Sequence, residues 1–224
     1  MKIDHILFPV DFSVHSRSLN PEVEWLASRF NSRVTLLHVF EVPTSWYGEG
    51  EIPLIRSEDI LAYAESEKQL LKDYVIEIPE NRLQRVSAEG GPAWHIANWT
   101  RQHDVDLIVM GTHGYGAFRR LMLGSVAMKV MHDVSCPVWT RAVHSNGADK
   151  MAKMNHISNI VCAVEFTDEA VPLLRFTKQL ATGLGAEVRL VHTVTDTESK
   201  LYKCFDLVKL AGEEISSLQA RAGT

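Results

Sequence analysis

The sequence has little of what marks a secreted, membrane-spanning or nucleic-acid-binding protein. Its only cysteines, Cys136, Cys162 and Cys204, form no CxxC pair, so neither a disulfide framework nor a zinc knuckle is indicated. No apolar run approaches the roughly 18 residues of a membrane span, and the amino terminus does not read as a signal peptide. Lys and Arg total 23 against 28 Asp and Glu, and a net charge of −5 gives no electrostatic footprint for nucleic acid. We expect a cytoplasmic protein without membrane or nucleic-acid partners.

What is present is the composition of a globular chain, with 46% hydrophobic and 23% charged residues in 224 positions. Short continuous apolar runs alternate with amphipathic segments, which predicts an α/β fold with an open parallel five-stranded sheet covered by helices on both faces. The predicted strands are Ile6–Val10, Val34–Val39, Leu83–Ala88, Leu107–Met110 and Val138–Thr140.

Four helices are predicted between these strands. The first, Pro21–Phe30, follows an Asn-Pro start signal. The second, about Glu58–Ile76, is predicted to bury Leu61, Ala64, Leu71 and Val75 on one face. A third follows Gly90-Gly91-Pro92 and carries an inner face of Ala93, Ile96, Ala97 and Thr100, and a fourth runs from Ser125 to about Asp133.

The chain repeats itself beyond a linker predicted at residues 144–156. With a constant offset of 154, nine of the 35 residues from Ile6 to Phe40 are identical to those from Ile160 onward, and the predicted strand, helix and strand stay in register. A further helix is predicted at about Glu198–Leu218. We interpret residues 1–143 as a complete domain and residues 157–224 as a partial second copy.

A glycine-bearing loop directly follows the fourth predicted strand. It contains Gly111, Gly114 and Gly124, and it ends with Ser125 at the start of a helix. Ligands of open parallel sheets bind beyond the carboxyl ends of the strands, and glycines with a helix N-terminus suit phosphate. The spacing is neither that of a Walker A loop nor that of a dinucleotide fingerprint.

The loop closely resembles that of the universal stress protein family, whose ATP-binding members carry G-x2-G-x9-G-[ST] at this place. Gly111, Gly114, Gly124 and Ser125 fill that pattern, and the resemblance extends over residues 1–143, including PVDFS, LLHV and DLIVMG. It implies an ATP-binding stress-response regulator or sensor with slow or no hydrolysis. It also implies a homodimer formed through the last strand of the first domain, Val138–Thr140.

The resemblance also assigns roles to individual positions. Asp11 would face the adenosine end, Val39 would offer backbone groups to adenine, and Gly111 would lie under the ribose. The phosphates would be held by Gly114, Gly124, Ser125 and the Val126 N–H. An adenine slot needs an apolar floor, which Pro9, Val39 and Met110 could form, and Mg²⁺ would bind through phosphate oxygens and waters.

Other interpretations stay open at this point. Asp11 and Ser13 could cap the following helix, Arg119 and Arg120 could reach phosphates or be solvated, and His113 could be an acid or base without a partner in the local sequence. His38 and His192 recur at equivalent strand ends, as a ligand pair would, but the repeat itself explains their recurrence. Two rival functions remain as well: an ATP-hydrolysing or adenylyl-transferring enzyme, and a dimerisation module that binds no nucleotide.

The second copy lacks a phosphate loop, and the residues that match Pro9, Asp11 and Val39 are Ala163, Glu165 and Thr193. We therefore expect one nucleotide per chain.

Overall fold

The computed structural model describes residues 2–43, 46, 56–112, 124–141, 156–165, 167, 169–192 and 207–223. The chain folds as two compact units, Lys2–Met154 and Asn155–Thr224. None of the helices in these described ranges has the length and apolarity that a bilayer crossing requires.

The first unit is an open, parallel five-stranded sheet in the order β3-β2-β1-β4-β5. Its strands are β1 (His5–Pro9), β2 (Arg33–Phe40), β3 (Leu83–Glu89), β4 (Leu107–Gly111) and β5 (Val138–Arg141). Its helices are α1 (Val14–Arg17), α2 (Asn20–Phe30), α3 (Ser57–Lys72), α4 (Pro92–Gln102) and α5 (Ser125–Asp133), with a short 3-10 turn at Glu80–Arg82. The predicted α/β fold is confirmed, and each strand lies within one or two residues of its predicted bounds.

Helices cover both faces of this sheet. Leu7 of β1 and Leu37 of β2 pack into one core with Ala93 and Ile96 of α4 and with Val130 of α5. Because side chains alternate along a strand, the neighbouring positions of β1 and β2 point to the opposite face. There α2 contacts β1, and α3 contacts β2 and β3.

The predicted inner face of α3 is wrong in part. Leu71 is buried, but Leu61 is 69% exposed and Val75 is 77% exposed. The helix ends at Lys72 instead of continuing to Ile76, so Val75 lies in a segment where burial alternates with a period of two and Tyr74 turns inward. The helix presents Tyr63 and Glu67 to the sheet side, and both are less exposed than Leu61.

The second unit contains a two-stranded parallel sheet, β6 (Asn159–Ala163) and β7 (Glu187–Val191), with α6 (Ala170–Leu184) and α7 (Leu207–Ala222). The predicted helix at 198–218 falls in part on residues 193–206, which lie outside the described residues. Its described part runs four residues further than predicted, to Ala222, and Leu218 is buried.

The two sheets share one register. His5 pairs with Arg33 in β1 and β2, and Asn159 pairs with Glu187 in β6 and β7, each residue displaced by the predicted 154 positions. The burial differs, since Leu7 is fully buried whereas its counterpart Val161 is 66% exposed. The interpretation of residues 157–224 as a partial second copy of the domain remains a prediction. The shared register supports it.

Candidate functional site

The candidate site lies where the strand order of the first sheet reverses. β2 and β4 flank β1 on its two sides, and all three strands end at the same edge because they are parallel. Open α/β sheets bind ligands in the crevice at such a reversal, outside the carboxyl ends of the strands. The order β3-β2-β1-β4-β5 therefore places the crevice between the ends of β1 and β4.

The three apolar positions predicted for an adenine floor all lie near this edge. Pro9 is the last residue of β1 and is half-buried. Val39 is the penultimate residue of β2, and it packs against the core formed with α4 and α5. Met110 is the penultimate residue of β4 and is buried in the same core. The fold thus brings to one edge residues that are separated by up to 101 positions in the sequence.

Asp11 lies just beyond β1, and its side chain caps the turn that follows. Its Oδ1 accepts a hydrogen bond from the Ser13 N–H at 3.0 Å, while Ser13 Oγ accepts from the Ser16 N–H at 3.0 Å and caps α1. The helix-capping interpretation is confirmed for Ser13, whereas Asp11 caps the turn before the helix instead of the helix itself. Asp11 is exposed.

Phe12 occupies an unusual backbone conformation in that turn. Its φ is 60°, in the left-handed region that bulky residues rarely adopt, at a cost of about 1–3 kcal/mol. Its ring lies 4.2 Å from the ring of His38 and 6.1 Å from that of Tyr74. These ring contacts hold Phe12 and thereby fix the direction in which the chain leaves β1.

The start of α5 is tied to the end of β4. The Gly124 N–H donates to the Thr112 carbonyl at 2.6 Å, and the Gly124 carbonyl accepts from the Met128 N–H at 2.9 Å. Gly124 is the N-cap of α5 and supplies no side-chain acceptor to the first turn. The N–H groups of a first helical turn lack intrahelical partners and carry the positive end of the helix dipole. This arrangement suits an anion at the edge of β4.

The remaining predicted positions are placed as follows. Gly111 is the last residue of β4 and lies opposite Arg141 in the register with β5. Ser125 is the first residue of α5 and is exposed, and Val126 is half-buried against the core. Gly114, His113, Arg119 and Arg120 lie outside the described residues, so their predicted roles stay predictions.

Sequence reasoning missed one polar contact behind this edge. His38 is 5% exposed, its Nδ1 lies 2.8 Å from the Val10 carbonyl oxygen, and its Nε2 lies 2.8 Å from Glu67 Oε2. In the second unit, His192 Nδ1 lies 2.8 Å from the Val164 carbonyl oxygen. Both imidazoles therefore contact a backbone carbonyl oxygen at equivalent positions of the two units. The signal for Glu67 was its place between Tyr63 and Leu71 on the inner side of α3.

Comparisons with known proteins identify the family of this chain. The profile described as the universal stress protein family matches residues 2–140. Universal stress protein A homolog 1 of Coxiella burnetii is 29% identical over 62% of this chain and 95% of its own length. A universal stress protein of Methanocaldococcus jannaschii is 30% identical over 59% of this chain and 78% of its own length.

Solved structures show the same fold. The crystal structure of a universal stress protein from Archaeoglobus fulgidus aligns with a TM-score of 0.64 and 18% identity, covering 97% of this chain and 75% of that one. The profile match spans more than half of the chain. The chain belongs to the universal stress protein family.

Proposed function

We propose that this chain binds one ATP, with Mg²⁺, in the crevice between β1 and β4 and acts as a cytoplasmic stress-response regulator or sensor with slow or no hydrolysis. The observation that carries the proposal is the glycine-capped start of α5, held against the end of β4 by the 2.6 Å bond from Gly124 to Thr112. A phosphate there would meet first-turn N–H groups to which Gly124, as the N-cap, offers no side-chain acceptor.

The nucleotide would lie across the ends of three strands. Adenine would rest on Pro9, Val39 and Met110, with the backbone of Val39 at its polar edge, and the ribose would lie over Gly111. Asp11 would face the adenosine end. The phosphates would extend toward Gly114, Gly124, Ser125 and the Val126 N–H.

The described residues suit a metal carried by the nucleotide better than a resident one. Among them, no group of three or more His, Cys, Asp or Glu side chains could hold a metal ion. Mg²⁺ usually keeps several waters and binds through one or two carboxylates with substrate phosphates. Mg²⁺ would therefore arrive on the phosphate oxygens and would neutralise part of their charge.

The test is titration calorimetry of the full chain with Mg-ATP, using two variants at the N-cap of α5. Gly124 has φ −58° and ψ 150°, which any residue can adopt, and Asp and Asn are both good N-caps. We expect Gly124→Asp to weaken binding at least tenfold more than Gly124→Asn, because only Asp adds a negative charge beside the phosphates.

Gly124→Asn serves as the matched control for side-chain volume. Comparable affinities of the Asp and Asn variants would place the phosphates elsewhere. A flat titration of the wild-type chain at millimolar Mg-ATP would contradict nucleotide binding itself. Phosphate release that is present in the wild type and lost in Gly124→Asp would favour the enzyme alternative.

We further propose a homodimer formed through β5. In the described part of the chain β5 pairs with β4 alone, so its other edge offers unpaired backbone groups. We expect light scattering to give twice the mass of the chain, and we expect Thr140→Lys to shift the protein toward monomer because a two-fold interface brings the two lysines together. A wild-type chain that is monomeric at all concentrations would contradict this assembly.

A further inference from the structure

A buried polar couple joins α3 to the ends of β1 and β2. His38 Nδ1 lies 2.8 Å from the Val10 carbonyl oxygen and Nε2 lies 2.8 Å from Glu67 Oε2, and the Glu67 side chain is only 14% exposed. A carbonyl and a carboxylate are both acceptors. Two hydrogen bonds therefore need a hydrogen on both ring nitrogens, or one on Nδ1 and one on the Glu67 carboxyl. A neutral imidazole beside an ionised carboxylate has one hydrogen too few.

This couple supports the turn that carries Asp11. The Phe12 ring lies on the His38 ring at 4.2 Å, and the Phe12 backbone has a left-handed φ of 60°. Such a conformation persists only when its surroundings hold it. If His38 tilts away, Phe12 loses its support and can return to a common backbone conformation. Asp11, the preceding residue, then moves with it.

We propose that His38 and Glu67 are positioning residues of the nucleotide site, which hold the turn of Asp11 in place through the Phe12 ring. This inference rests on the proposed function and adds the residues that hold its adenosine end in place. Neither residue touches the ligand, because His38 points to the α3 side of the sheet whereas Val39 points to the α4 and α5 side. Their effect passes through Val10, Phe12 and Asp11.

Three variants of the full chain test this positioning role by titration with Mg-ATP. Glu67→Leu is expected to weaken binding about tenfold, because His38 loses its partner. Glu67→Gln should bind with nearly the wild-type affinity, because its amide can donate to Nε2 of a neutral His38. Glu65→Leu is the matched control on the same helix, since Glu65 is 74% exposed, and it should bind within about twofold of wild type.

Nuclear magnetic resonance of the ring nitrogens of His38 and the carboxyl carbon of Glu67 measures the hydrogen bonding of this pair in the absence of nucleotide. We expect hydrogen bonds at both Nδ1 and Nε2 of His38 in the wild type and in Glu67→Gln. An Nε2 without a hydrogen bond in the wild type would overturn the inference. Equal Mg-ATP affinities of the wild type and Glu67→Leu would overturn it as well.

The same measurements separate this inference from the proposed function. If the wild-type chain binds no Mg-ATP, the proposed function fails and so does the coupling to nucleotide. Hydrogen exchange of the Ser13 amide, which donates to Asp11, then decides the structural part. Faster exchange in Glu67→Leu than in Glu65→Leu supports the positioning role of His38 and Glu67, and equal exchange contradicts it.

Discussion

Replacing Leu7 with alanine is expected to lower the free energy of unfolding of the first unit by about 3 kcal/mol. Leu7 is fully buried at the centre of the sheet, in the core shared by Leu37, Ile96 and Ile108. The loss combines the transfer of the leucine side chain with the cavity left among neighbours held by backbone pairing on both sides of β1. Urea denaturation followed by tryptophan fluorescence measures it, since all five tryptophans lie within residues 1–143.

Leu61→Ala is the matched control for this measurement. It makes the same chemical change in the same unit, but Leu61 is 69% exposed on α3, so we expect a change below about 0.5 kcal/mol. A loss comparable to that of Leu7→Ala would show that α3 buries the face predicted from its sequence pattern.

The contrast between these leucines shows what hydrophobic patterning can predict. Strands at the sheet centre are buried on both faces and read as continuous apolar runs, so β1, β2 and β4 were predicted within one or two residues. The face of α3 was harder, because Tyr63 and Glu67 occupy inner positions while Leu61 does not. A long polar side chain with a buried partner fits an inner position of a helix as well as leucine does. The helical spacing of apolar residues alone does not distinguish the two cases.

The candidate site also combines features that the sequence predicts with features that it does not. The sheet edge along which Pro9, Val39, Met110 and Gly124 lie follows from the alternation of strands and helices and from a glycine loop, both visible in the sequence. The left-handed backbone of Phe12 and the contact between His38 and Glu67 do not follow from the sequence pattern, since each depends on how α3 crosses β2. Contacts between residues far apart in the chain are set by tertiary packing, on which local patterns carry no information.

Arg141→Met is expected to lower the free energy of unfolding by about 2 kcal/mol at neutral pH, because it leaves a buried carboxylate without its cation. Arg141 Nη1 lies 2.6 Å from Glu22 Oε1, and the Glu22 side chain is 1% exposed. Arg141 Nη2 also donates to the Ser18 carbonyl at 2.7 Å. Because the Arg141 side chain is 34% exposed, water screens part of the interaction, and we place the loss below that of a fully buried pair.

The expected loss depends on pH in a defined direction. Burial raises the pKa of the Glu22 carboxyl above its usual 4.5, while the Arg141 charge opposes this shift. Without Arg141 the pKa rises further, and the native state takes up a proton at a higher pH than the unfolded state does. The variant therefore loses stability as the pH rises through that range and recovers part of it as the pH falls toward 4.5.

The double variant Glu22→Gln with Arg141→Met isolates the charge. It removes both ions, so we expect it to recover most of the stability that Arg141→Met loses at neutral pH and to lack the pH dependence of the single variant. Urea denaturation at about pH 5 and 8 measures all three chains by tryptophan fluorescence. An equal loss in the single and double variants would assign the effect to the bonds between Arg141 and Ser18 instead of the ion pair.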